Sequence, residues 1–138
     1  MNPFRCLRDY EFFVYTLQAD YPAIAHSTLV LQQRGRLFAE LNGELFFRNG
    51  CRLVVYERIA WERAELRIVG YSYEAWRGSD KLYWYDSQPH ASDSALAPTL
   101  PHHKHIPPDI KHHRVPAPEM SLTQPNMPVL IGEICQRL

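Results

Sequence analysis

The chain reads as an α+β domain, with one N-terminal helix laid on an antiparallel meander of about five strands, then a proline- and histidine-rich segment and a short C-terminal helix. Three observations predict this. Apolar residues near the N-terminus recur at spacings of three and four, the stretch 27–86 is dense in β-formers broken by turn signals, and nine of the eleven prolines crowd between Ser87 and Val129. A length of 138 residues with 46% hydrophobic and 22% charged side chains suits a single domain, 1–138. Such a chain buries roughly two-thirds of the surface that its unfolded form exposes.

Leu7, Tyr10, Val14, Leu17 and Tyr21 form the apolar stripe of a helix over 7–21, stopped before Pro22. β-Formers then fill Ser27 to Gln33, Leu37 to Phe47, Cys51 to Ile59, Glu65 to Arg77 and Lys81 to Asp86. The breaks are Arg34-Gly35, Asn49-Gly50, Trp61 to Ala64 and Gly78-Ser79-Asp80, with Asn49-Gly50 the strongest hairpin signal. Such short links imply antiparallel neighbours. Alternation is clearest where Leu53, Val55 and Ile59 oppose Arg52 and Arg58, and Gly43 marks a bulge or corner. Segment 87–126 reads as irregular because proline removes the donors that a helix or central strand needs. Leu100, Ile106, Ile110 and Val115 offer it anchors, and a closing helix over 127–138 buries Leu130, Ile131 and Ile134.

Formal charge is zero, with 15 Lys plus Arg against 15 Asp plus Glu. A nucleic acid would therefore be met by a local patch, not by a basic surface. Cys6, Cys51 and Cys135 are odd in number and far apart, which suits reduced thiols better than a disulfide framework or a zinc knuckle. The N-terminus lacks a signal peptide's apolar stretch, and no window reaches the roughly 20 apolar residues of a membrane span. The expectation is a soluble cytoplasmic protein.

Chemistry concentrates late in the chain. Six of the seven histidines fall within 24 residues, interleaved with Lys104, Lys111 and Arg114. Imidazole titrates near neutral pH, so paired histidines can take a 2′-hydroxyl proton and protonate a leaving oxygen while a cation steadies the phosphorane charge. The candidate catalytic group is His102, His103, Lys104, His105, Lys111 and His112. Tyr73, Tyr83 and Tyr85 are candidates for stacking bases, with His90 and Arg114 as further substrate contacts. Against this stand plain structural uses: surface or hydrogen-bonded histidines, aromatic core, cross-strand arginines, and Asp86 as a turn-former.

Metal binding is the rival use of this histidine set. His102, His103, His105, Asp109 and His112 include ligand types, yet neither a His-Glu-x-x-His helix nor a Cys-x-x-Cys pair is present. The expected scheme thus needs no metal or cofactor. Phosphate-binding glycine loops and a nucleophile elbow are also absent, which removes the common nucleotide-triphosphatase and hydrolase readings.

Lys81-Leu82-Tyr83-Trp84-Tyr85-Asp86, Pro89-His90, Pro101-His102-His103-Lys104-His105, Asp109-Ile110-Lys111-His112 and Arg114-Val115-Pro116-Ala117-Pro118, in this order, resemble the TumE-like family of bacterial toxins. The likeness runs from Leu7 to Ile134, with His113 standing where a non-histidine is expected. It implies a toxin paired with a cognate antitoxin, usually one carrying a helix-turn-helix DNA-binding domain, and it assigns no catalytic residue. Joined to the histidine chemistry, it favours a metal-independent ribonuclease acting on RNA, with self-association into a homodimer left open. The alternative is a non-enzymatic module that docks a partner chain through a strand edge or its proline-rich segment.

Overall fold

The computed structural model describes residues 2–87, 102–111 and 113–136, so His90 and His112 lie outside the described residues. The architecture is α+β, as expected, but the antiparallel sheet holds eight strands where about five were predicted. After a 3₁₀ turn at Pro3–Arg5, the helix expected over 7–21 forms as two pieces, α1 (Leu7–Tyr15) and α2 (Leu17–Asp20). Thr16 divides them at φ −106°, ψ 1°, with its hydroxyl donating to the Phe12 carbonyl at 2.8 Å. A β-branched residue that bonds back to its own helix is a natural place for such a step.

The strands are β1 (Ile24–Ser27), β2 (Val30–Gly35), β3 (Phe38–Phe47), β4 (Cys51–Ala60), β5 (Arg67–Arg77), β6 (Asp80–Asp86), β7 (His103–His105) and β8 (Arg114–Pro116). Their order is β1-β3-β4-β5-β6-β7-β8, and β2 also pairs with β3. The predicted strand 27–33 corresponds to β2, which pairs with Phe38 to Asn42, while β1, overlapping it at Ser27 only, is an added strand that pairs with Leu45 to Phe47. Gly43 sits where β3 changes partner, at φ +142°. A Cβ there would come within 2.5 Å of the Thr28 carbonyl, so the corner needs glycine both for its backbone angle and for space. The other two extra strands, β7 and β8, correct the reading of 87–126 as wholly irregular. At three residues each they are too short for a period-two pattern to register.

The Asn49-Gly50 turn forms as predicted, with Gly50 at φ +89° and Asn49 Oδ1 accepting from the Cys51 amide at 3.0 Å. Asn49 Nδ2 also donates to the Ile134 carbonyl, which ties this hairpin to α3 (Met127–Cys135).

One face of the sheet, here the inner face, packs against α1 and α3. Its strands contribute Leu41, Leu45, Leu53, Val55, Ile59, Tyr73, Tyr83 and Tyr85, and α3 contributes Leu130, Ile131 and Ile134, all buried. Over β3 to β6 the outer face is a polar ladder: Arg52 reaches Glu44 at 2.6 Å, Tyr56 donates to Glu40 at 2.9 Å, and Lys81 meets Glu74 at 3.2 Å. Partly exposed pairs of this kind are screened by solvent and stabilise little. They define the wet side of the molecule. That side becomes buried where β6 meets β7.

Candidate functional site

β7 divides the histidine cluster. Its neighbours alternate across the sheet, so His102 and Lys104 point inward, while His103 and His105, paired with Asp86 and Trp84 of β6, point outward. Adjacent positions in one dense histidine run therefore work in separate environments.

On the inner face, Nδ1 of His102 lies 2.6 Å from the Tyr71 hydroxyl, and the two rings are stacked with centroids 5.7 Å apart. Burial, followed by the neighbouring His103, lowers the His102 pKa. Burial, then the charge of Asp86, raises that of Tyr71, which keeps its proton at neutral pH. Lys104 Nζ sits 4.4 Å from the Tyr83 ring centroid, 5.0 Å from that of Tyr85, and 3.6 Å from Glu133 Oε2. Glu133 in turn accepts from the Tyr85 hydroxyl at 2.6 Å. His102 and Lys104 are both half-buried, leaving this side within reach of a ligand.

Deeper on the same face, Glu57 is wholly buried between two phenols. Tyr10 donates to its Oε1, Tyr73 donates to its Oε2 at 2.5 Å, and Asn126 Nδ2 donates to the Tyr73 oxygen at 3.1 Å. Desolvation outweighs both hydrogen bonds and lifts the Glu57 pKa from its ordinary 4.5 to about 6. Burial beside this carboxylate pushes Tyr10 and Tyr73 well upward.

On the outer face, one ligand-type atom from each of Asp86, His103 and His105 lies within 4.8 Å of the other two. His103 is 0% exposed and His105 2%. His103 Nε2 is 4.0 Å from Asp86 Oδ2, and His105 Nδ1 is 2.7 Å from the Ile110 carbonyl. Trp84 stacks on His105 with centroids 4.1 Å apart, and its Nε1–H donates to Ser72 Oγ at 2.8 Å. Burial is the main influence lowering the His105 pKa, partly offset by the Ile110 bond.

The remaining predicted residues scatter. Tyr73, Tyr83 and Tyr85 are core, so the stacking surface expected of them is closed to bases. Lys111 is exposed in the turn after β7, and Arg114 pairs with His105 across β7 and β8. Asp86, read as a turn-former, is the final residue of β6. Glu57 and Glu133 also escaped the sequence reading. Glu57 interrupts the apolar series of Leu53, Val55 and Ile59, a signal that could have marked it as a buried acid. Glu133 gives no such signal, because only α3's packing sets it beside Lys104.

The described helices include none long and apolar enough to cross a membrane. The family model described as Toxin TumE matches residues 14–138. The chain belongs to the TumE toxin family. It is thus the toxin component of a toxin–antitoxin system, and an antitoxin partner follows from that membership. No curated protein and no solved structure matches this TumE-family chain.

Proposed function

We propose that this TumE-family toxin is a metal-independent ribonuclease acting on RNA in the cytoplasm, and that it meets the phosphodiester on the inner side of β7. The observation that carries the reading is the pairing of His102 with the Tyr71 hydroxyl at 2.6 Å, with Lys104 on the same side. A phenol both donates and accepts. When it accepts from Nδ1–H, His102 Nε2 presents the lone pair that removes a 2′-hydroxyl proton. Once that proton is taken the ring is an imidazolium whose Nδ1–H still donates to the phenol oxygen, and its Nε2–H returns the proton to the leaving oxygen. Lys104 supplies positive charge for the extra negative charge of the phosphorane. The resemblance adds a helix-turn-helix antitoxin as the partner that silences this activity.

The test is purified toxin on structured and unstructured RNA in EDTA, with products analysed for 2′,3′-cyclic phosphate ends. Cleavage by the natural chain and its loss in His102→Gln support the reading. Intact RNA in the presence of protein shown by circular dichroism to be folded overturns it.

A second reading, partner docking without catalysis, rests on the opposite end of the sheet. β2 pairs on one side only among the described strands and Val30 on it is 52% exposed; α1, whose Tyr15 hydroxyl accepts from the Leu31 amide at 2.8 Å, carries Phe12 at 72% exposed. An extended segment of the antitoxin could add to that edge. Phe12→Ser with Val30→Lys should then abolish antitoxin capture, and undiminished capture discards this surface.

A further inference from the structure

We infer that Asp86, His103 and His105 form a binding site for one zinc ion on the outer face of β6 and β7, separate from the inner-face chemistry proposed above. The donor set is two imidazoles and one carboxylate, a combination suited to divalent transition metals and to zinc in particular. Register brings it together: Asp86 pairs with His103 across the strands, and His105 follows two residues later on the same face. Three ligand residues therefore stand on two hydrogen-bonded strands, where backbone pairing fixes the spacing of their Cα positions.

The surroundings favour coordination over a simple hydrogen-bonded cluster. His103 Nε2 and Asp86 Oδ2 are 4.0 Å apart, too far for a hydrogen bond between them but close to the spacing of two atoms addressing one ion. Zinc bonds of about 2.0–2.2 Å place donor atoms roughly 3–3.6 Å from one another. The present span of up to 4.8 Å would close by about 1–2 Å on binding, with Asp86 and His103 drawn toward the anchored His105 ring.

The tautomer also fits. A carbonyl oxygen only accepts, so the 2.7 Å contact with Ile110 requires the proton on His105 Nδ1 and leaves the lone pair on Nε2. A ligating histidine anchored through its other nitrogen is the usual outer-shell arrangement of metal sites. Trp84, itself fixed by Ser72, stacks on the same ring and restricts its rotation. Burial supplies the last argument, because a carboxylate and two imidazoles sit at low exposure on a face that is otherwise a wet polar ladder. Buried ionisable clusters of this kind are paired or hold metal. Bound zinc would clamp β7 to β6 and so fix the strand that presents His102 and Lys104 on the other side.

The experiment uses the full chain, stripped with EDTA and dialysed, then titrated with zinc against a competing chelator, with cobalt(II) as a spectroscopic substitute. We expect about one zinc per chain, a raised Tm, and the visible bands of tetrahedral cobalt with nitrogen and oxygen ligands. The triple variant D86N/H103Q/H105Q should lose uptake, while His26→Gln, an exposed histidine elsewhere, should keep it. Should the triple variant fail to fold, zinc-edge X-ray absorption on the natural chain decides. Two imidazoles and oxygen uphold the site, whereas thiolate ligation overturns it. Folded natural protein that takes up no zinc, or a folded triple variant that binds as well as the natural chain, also overturns the inference.

Discussion

The two faces of β7 differ more than their shared sequence run suggests. Inward, His102 and Lys104 are half-buried against hydroxyls and an acid; outward, His103 and His105 are sealed beside Asp86. Side chains one position apart thus have opposite solvent access, and solvent access decides what an imidazole can do. A half-exposed ring can exchange protons with a substrate. A sealed ring, held by a carbonyl and an indole, is a better ligand than a shuttle.

The sharpest way to break this division is at His102. We expect His102→Gln to lower RNA cleavage by about 10²–10⁴-fold, while zinc uptake in the same preparation stays at about one per chain. Loss of both in folded protein would merge the two faces into one site. Lys104→Met follows, with cleavage reduced by about 10²–10³-fold in initial rates measured at saturating RNA. An unchanged rate would remove the cation from the inner-face chemistry.

A smaller effect probes the depth of the inner face. The Glu57 pKa, raised from 4.5 to about 6, means that the native state holds a proton which the unfolded chain releases. The corresponding stability is fully present below about pH 4.5 and lost as pH rises through about 6, amounting to about 2 kcal/mol. Urea unfolding across that window should show this fall in the natural chain and a flatter profile in Glu57→Gln. An identical slope in both would detach Glu57 from the acid-range stability. The least effect belongs to the outer face, where Ser72→Ala removes one hydrogen bond from the indole of Trp84. That change should cost about 1 kcal/mol in the same assay and weaken zinc affinity, and no change in affinity would remove Trp84 from the ligand-orienting set.

Much of the architecture was legible because it rests on local patterns. The helix stripe through Tyr10, Val14 and Leu17, the Asn49-Gly50 turn and the alternation of β4 are short-range signals, and each formed where expected. The break at Thr16 and the added strand β1 were not legible, since both depend on what the chain packs against. Short β7 and β8 were hidden in proline-rich sequence because three residues cannot display a period. The site was readable only as a composition: the histidine run named the chemistry without saying which rings would meet.

The sequence by itself determined the α+β class, the helix-on-sheet order and the supply of imidazoles, because periodicity and turn chemistry act within a few residues. Tertiary structure alone decided that Tyr73, Tyr83 and Tyr85 are core, that Glu57 is held between Tyr10 and Tyr73, and that Asp86 joins His103 and His105. The physical reason is register. Pairing β7 on β6 assigns each successive side chain to one face or the other, and a shift by one residue would exchange His102 and Lys104 for His103 and His105.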